Sequence, residues 1–237
     1  MTDGRHARMN VIPAITIDGP AGSGKSTLGE RLARALGWLY FDTGVMYRAL
    51  TLAAIERAVA LDDPVALEHL AEALVIDVRP PEVADGRQYT VCADGIDVTW
   101  SLRRSDVEQR ISHVAAHPEV RRVMRARQRQ IGLRGRVVMV GRDIGSVVMP
   151  DAALKIYLVA SIDERARRRL QERIARGQPA ELAAIRDDIA RRDELDRHVM
   201  QPAHDAVQLS SEGCSPDELV DRVMHLFSHP TSSAVPS

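Results

Sequence analysis

Apolar and polar positions along the chain alternate between two periods. Residues 14–18 (AITID) form a short apolar run that ends in a Gly-rich turn, and 25–36 then show the helical period until Gly37 stops it. Residues 38–42 read as a second strand, 44–59 as a helical stretch, and 63–74 as a short helix capped by Asp63 with Pro64 in its first turn. Over 75–98 the pattern changes to short alternating runs (VIDVR, QYTVCA, IDV) broken by Pro-Pro and Asp-Gly, which predicts a small antiparallel meander. A strongly basic helix follows over 118–133. The runs RVVMV (136–140) and LKIYLVA (154–160) are almost uniformly apolar and suit parallel strands covered on both faces. Ser161 and Glu164 form a capping-box pattern for a helix ending at Gly177, and a second charged helix is predicted over 185–197. Residues 206–209 supply a fifth strand, and Ser215, Pro216 and Glu218 open a last helix running to about Phe227. Strands alternating with helices predict an α/β fold with a parallel sheet.

Composition narrows the function classes. The 237 residues suffice for one domain with insertions, and 45% apolar with 27% charged residues is the balance of an ordinary globular chain. Basic and acidic residues number 32 and 33, so no whole-surface attraction for nucleic acid or anionic lipid is expected. Cys92 and Cys214 are too few for a disulfide framework and lack metal-ligand spacing, which suits a reducing compartment. The first ten residues lack the apolar core of a signal peptide and no run is long enough to span a membrane, so a cytoplasmic protein is the expectation. Residues 1–10 and 229–237 read as flexible tails.

Only two of the basic residues are lysines, Lys25 and Lys155. One of them completes Gly19-Pro20-Ala21-Gly22-Ser23-Gly24-Lys25-Ser26, which matches G-x-x-x-x-G-K-[ST] between a predicted strand and a predicted helix. With so little lysine, a chance match has odds of about one in a thousand. The glycines let backbone N–H groups converge on phosphate oxygens, and the helix start adds its positive dipole end. Lys25 then reaches the β- and γ-phosphates, Ser26 ligates Mg²⁺, and Thr27 reaches a phosphate. Nucleoside triphosphate binding follows; its use does not.

A hydrolytic switch would carry a base-reading Asn-Lys-x-Asp, and neither lysine sits in one. The thirty arginines suit a different task. Two phosphate dianions brought together repel by on the order of 10 kcal/mol, which arginines and Mg²⁺ would offset. A phosphate acceptor oxygen is already ionised, so catalysis reduces to positioning and charge neutralisation. Arg48, Arg121 and Arg142 are candidates, as is the run Arg165, Arg167, Arg168, Arg169, Arg173, Arg176, which forms either a lid or a solvated face paired with Asp163, Glu164 and Glu172.

The chain resembles the bacterial cytidylate kinases over about residues 12–228, on ITIDGPAGSGKST (15–27), FDTGVMYRALT (41–51), SHVAAHPEVR (112–121), GRDIGSVVMPDA (141–152), LKIYLVAS (154–161), RRDELDR and the later PAHDA. The resemblance implies a P-loop NTPase-type parallel five-stranded sheet flanked by helices, with a monophosphate-binding insertion and a lid. Its core would span 11–42, 134–162 and 203–228, its monophosphate-binding domain 43–133 with the meander near 75–98, and its lid 163–202. The implied activity transfers phosphate from ATP, with Mg²⁺, to CMP and dCMP in a monomer, without nucleic-acid or membrane partners. Residues 19–27 would hold ATP, and Lys25, Arg142, Arg192 and Arg197 would be catalytic. Thr43, Tyr47, Arg48, Ser112, Arg121, Arg142, Asp143, Arg192 and Asp196 would hold CMP. Among them Thr43, Arg121 and Asp143 would read cytosine, a carboxylate accepting from its amino group and an arginine donating to its ring nitrogen and carbonyl.

Three departures stand out. Thr43 replaces a common serine but keeps the hydroxyl. Val140 stands where many members have Asp, leaving Asp18 as the nearest carboxylate. The last lid arginine is out of register, with His198 and Val199 in its place and Arg197 as the next cation. Open alternatives are an Arg142–Asp143 ion pair at a strand end, another acceptor such as UMP or AMP, and a regulator that binds ATP without turnover.

Overall fold

The computed structural model describes residues 12–175, 177–197 and 199–229, without the side chain of Leu195. Residues 1–11 and 230–237, Arg176 and His198 lie outside the described residues. In chain order the elements are β1 (Ile12–Asp18), α1 (Lys25–Leu36), β2 (Leu39–Asp42), α2 (Gly44–Glu56), α3 (Pro64–Ala73), β3 (Ile76–Arg79), β4 (Thr90–Ala93), β5 (Ile96–Asp97), α4 (Ser105–Ala116), α5 (Pro118–Gly132), β6 (Val137–Val140), β7 (Ala152–Val159), α6 (Ile162–Ala175), α7 (Leu182–Asp196), β8 (Val207–Ser210) and α8 (Pro216–Ser228). A parallel five-stranded sheet runs in the order β2-β6-β1-β7-β8, and β3-β4-β5 form a separate antiparallel sheet.

The chain divides into two compact units, one made of the described residues up to Lys25 and from Arg142 onward, the other Ser26–Gly141. In the first, β1 contributes Ile15 and Ile17 and β7 contributes Ile156 and Leu158 to a core closed by Leu219 and Val223 of α8. α8 begins with a complete capping box: Ser215 Oγ accepts from the Glu218 N–H at 3.2 Å, and the Glu218 carboxylate accepts from the Ser215 N–H at 2.7 Å. At α6 the expected box is half made. Ser161 Oγ accepts from the Glu164 N–H at 3.3 Å, but the Ser161 N–H goes to Glu212 and the Glu164 carboxylate turns to Arg167 and Arg168. α6 and α7 pack through Ala166, Ile185 and Ile189.

The second unit buries Leu28 and Leu32 of α1, Phe41 of β2, Leu50 and Leu52 of α2, Leu67 of α3 and Met124 of α5. Asp63 caps α3 as expected, accepting from the N–H groups of Val65 and Ala66 at 3.0 Å. In the meander, Arg87 bridges Asp85 and Asp97, and Trp100 donates its indole N–H to Asp85 at 2.8 Å.

Two expectations change. α4 was not foreseen, because only Val107 and Val114 of its residues are buried and its N-cap, Arg104, makes no side-chain cap. β6 is buried throughout, as its composition predicts, but β7 only at Lys155, Ile156 and Leu158, so its other positions are partly open.

Candidate active site

In the first unit, the chain leaves β1 at Asp18 and turns sharply at Gly19, whose φ of 142° is closed to other residues. A Cβ there would sit 2.2 Å from the Leu158 carbonyl oxygen of β7. This close approach sends the loop over the sheet end, and the helix begins at Lys25. Lys25 is 8% exposed, and its Nζ donates to the Pro20 carbonyl at 2.6 Å. Ser23 Oγ is buried with no hydrogen-bond partner among the described residues, an orphaned polar atom inside an anion-binding type of loop.

Asp18 is buried beneath this loop. Its carboxylate accepts from the backbone N–H groups of Ile144 and Gly145 at 2.9 and 2.7 Å. Burial outweighs these bonds and pushes its pKa up to about 6, with Asp143 raising it further and Lys25 opposing. Asp18 thereby holds the π turn 144–148, which follows Arg142 and Asp143 directly. Asp143 is itself buried. Arg142 pairs with Asp196 at 2.9 Å and points a second nitrogen at Met200 Sδ, 3.4 Å away.

The structure therefore brings together Arg142 and Asp196, which the sequence separates by more than fifty positions. Arg192 lies exposed on α7, and Arg197 is exposed and paired with Glu194. Of the arginine run, Arg167 and Arg168 pair with Glu164, and Arg168 also donates to Ser211. Arg165 is not on a solvated face; it is buried against Asp193 and the Ala21 carbonyl. Tyr157, paired in register with Asp18, donates to the Met200 carbonyl at 3.2 Å. Neither Asp193 nor Tyr157 was singled out beforehand, because their partners lie far away in sequence.

In the second unit, Ser26 and Thr27 stand exposed in the first turn of α1. Thr43 is buried and donates its hydroxyl to the Val140 carbonyl at 3.0 Å. Tyr47 and Arg48 follow in the first turns of α2, where Asp42 Oδ1 accepts from the Gly44 N–H at 2.9 Å. A Cβ at Gly44 would lie 3.1 Å from Asp42 Oδ1 and 3.3 Å from an Arg48 guanidinium nitrogen, so this carboxylate and guanidinium share one spot. The meander reaches the same region: Tyr89 packs on Tyr40 with ring centroids 5.8 Å apart, and Gln88 donates to Glu30 at 2.5 Å. Burial pushes the Tyr89 hydroxyl up to about 12, with Asp42 adding to it and Arg48 opposing. Tyr89 is a further candidate that sequence reasoning missed; the one available signal was a tyrosine in a chain with only four. Ser112 is exposed on α4, and Arg121 is half-buried in the first turn of α5.

A parallel sheet with a G-x-x-x-x-G-K-S loop between its first strand and first helix defines a P-loop nucleoside-triphosphate-binding protein. The model of the family described as cytidylate kinase matches residues 15–229, and the chain belongs to that family. Relatives named cytidylate kinase include those of Roseiflexus castenholzii, 60% identical over 91% of this chain and 94% of that protein, and of Chloroflexus aggregans, 57% identical over 92% and 95%. The one from Herpetosiphon aurantiacus is 53% identical over 90% of this chain and 93% of its own. Among solved structures, the shikimate kinase of Bacteroides thetaiotaomicron shares the fold, with a TM-score of 0.51 at 15% identity over 92% of this chain and 99% of that one.

Proposed function

We propose that the protein transfers the terminal phosphoryl group of ATP to CMP and dCMP, giving ADP and the corresponding diphosphates. The observation that carries this reading is family membership across residues 15–229 in a chain that keeps the whole phosphate loop. An oxygen of the CMP phosphate attacks the γ-phosphorus, the bond from γ-phosphorus to the β–γ bridging oxygen breaks, and ADP leaves. The attacking oxygen carries no proton at neutral pH, so no general base is assigned.

Residues 19–27 hold the ATP phosphates, and Lys25 neutralises charge that grows on the β- and γ-oxygens. Arg142, Arg192 and Arg197 share that work, with Asp196 keeping the Arg142 fork oriented. Arg48 and Arg142 grip the monophosphate, Tyr47 lines its site, and Thr43, Arg121 and Asp143 read the base. Ser112, Arg192 and Asp196 hold the sugar or the closing helix. The core, monophosphate-binding and lid segments are those implied by the resemblance, with α6 and α7 in the lid.

The oxygen donors fit Mg²⁺ of the kind that retains most of its waters: Ser26 offers a hard hydroxyl oxygen, Val140 offers none, and both Asp18 oxygens are engaged by backbone N–H groups. Ser26 would therefore hold the ion together with phosphate oxygens and water. When bound, the ion supplies charge neutralisation between the donor phosphates. The monomeric state is the one the resemblance implies, and dependence on ATP supports a cytoplasmic site of action. Among the described residues no helix is long and apolar enough to cross a membrane.

ADP release measured with CMP, dCMP, UMP, AMP and GMP tests the reading. CMP and dCMP should give the highest kcat/KM. A higher value with UMP or AMP would assign the enzyme to another acceptor, and ATP binding without turnover on any of them would make it a regulator.

A further inference from the structure

Arg165 lies in the first turn of α6, and its side chain is only 6% exposed. Its Nε donates to the Ala160 carbonyl at 3.2 Å, Nη1 donates to the Ala21 carbonyl at 3.1 Å and to Asp193 Oδ1 at 3.0 Å, and Nη2 donates to Asp193 Oδ2 at 2.6 Å. One guanidinium thus ties together the end of β7, the phosphate loop and α7. Packing on its stem is equally close, since a Cβ at Gly22 would lie 3.3 Å from Arg165 Cβ.

The pair is bidentate and charge-assisted, which makes its geometry specific. Net stability is a poor explanation for it, because a buried ion pair is commonly no better than apolar packing of the same volume. Geometry is the better one. A trans peptide is planar, and the described residues contain no cis bond, so the Gly22 N–H points opposite to the Ala21 carbonyl. With that carbonyl held by Arg165, the Gly22 N–H faces away from the guanidinium and is free to meet an anion. At the other end of the fork, Asp193 sits beside Arg192 and one turn before Arg197. Holding its carboxylate fixes the rotation of α7 about its axis, and with it the directions in which Arg192 and Asp196 project.

We infer that Arg165 is a positioning residue for phosphoryl transfer. Through Ala21 it sets a peptide of the donor loop, and through Asp193 it sets the closing helix, so both reach working geometry through one side chain. The inference rests on the proposed reading that the loop holds ATP and that α7 carries lid cations. Its action runs through the Ala21 carbonyl and the Asp193 carboxylate.

The test compares Arg165→Met, Arg165→Lys and Asp193→Asn of the full chain by kcat, KM for ATP, calorimetric ATP affinity without CMP, and Tm. Asp193→Asn leaves the Ala21 contact intact, so kcat should fall about tenfold with ATP affinity within about twofold of wild type. Arg165→Met loses both contacts and should also weaken ATP binding by about tenfold. Arg165→Lys retains one donor for Ala21 and should restore ATP affinity but not kcat. Wild-type kinetics in Arg165→Lys and Asp193→Asn, with only Tm lowered, would overturn the inference even if Arg165→Met fails to fold. Equal losses of kcat and ATP affinity in those two variants would overturn the separate roles. Absence of CMP-dependent ADP release in the wild-type protein would instead overturn the proposed function.

Discussion

Lys25 is the residue at which rarity, position and chemistry agree. It is one of two lysines, it closes the phosphate loop, and its Nζ lies 2.6 Å from a loop carbonyl that a phosphate oxygen can replace as partner. Lys25→Ala should keep the fold and lower kcat at least about a hundredfold, since the lost contact is strongest when charge develops; a folded variant with near-normal turnover refutes the role. Asp143 is buried, and its proposed partner is the cytosine amino group. Asp143→Ala should therefore narrow the preference for CMP over UMP by about 1 to 3 kcal/mol in kcat/KM, and an unchanged ratio removes it from base reading. Asp18 makes a prediction about stability. Its folded pKa of about 6 exceeds the unfolded 3.8, so the native state binds the proton more tightly. Between about pH 4 and pH 6 its contribution to stability falls as pH rises, and above that range the buried charge costs about 3 kcal/mol. Subtracting the urea-unfolding profile of Asp18→Asn from that of wild type should reveal this slope; coincident slopes across the range disprove it. Lys25 was legible from the sequence because its meaning is local. Asp18 was not, because its partners, Ile144 and Gly145, lie 126 and 127 residues away.

At the level of elements, amphipathic period and punctuation identified most helices and all five strands of the central sheet, and they failed where burial is thin. α4 buries two valines and has no side-chain cap, so neither signal reached the sequence. α1 shows how packing overrides propensity. Gly29 lies mid-helix, where alanine would ordinarily gain about 1 kcal/mol. A Cβ there, however, would lie 2.6 Å from Val140 Cγ2 and 3.0 Å from Tyr40 Cε2, both on buried strand residues with little room to move. Gly29→Ala should thus lower the stability by about 1 kcal/mol or more, read from the denaturant midpoint, and a stabilised variant would show that α1 can lift away from the sheet.

For the molecule as a whole, the near-zero formal charge of −1 removes long-range attraction as a source of substrate binding and leaves it to local groups. Binding should therefore appear as ligand-linked stability. A non-hydrolysable ATP analogue at a hundred times its Kd should stabilise the fold by about 2.7 kcal/mol, which for a chain of this size raises Tm by roughly 5 to 10 °C. CMP should add a further rise larger than that from UMP, and no shift with the analogue would dismiss the phosphate loop as a nucleotide site. The sequence by itself determined the alternation of strands and helices, the phosphate loop with its rare lysine, and the resemblance to cytidylate kinases, because each is written in neighbouring residues. Tertiary structure alone decided that Arg165 is buried and not solvated, that Arg142 pairs with Asp196, and that Tyr89 stands against Tyr40. An arginine carries the same letters on a solvated face as in a buried fork, and only the folded chain brings the carboxylate that distinguishes them.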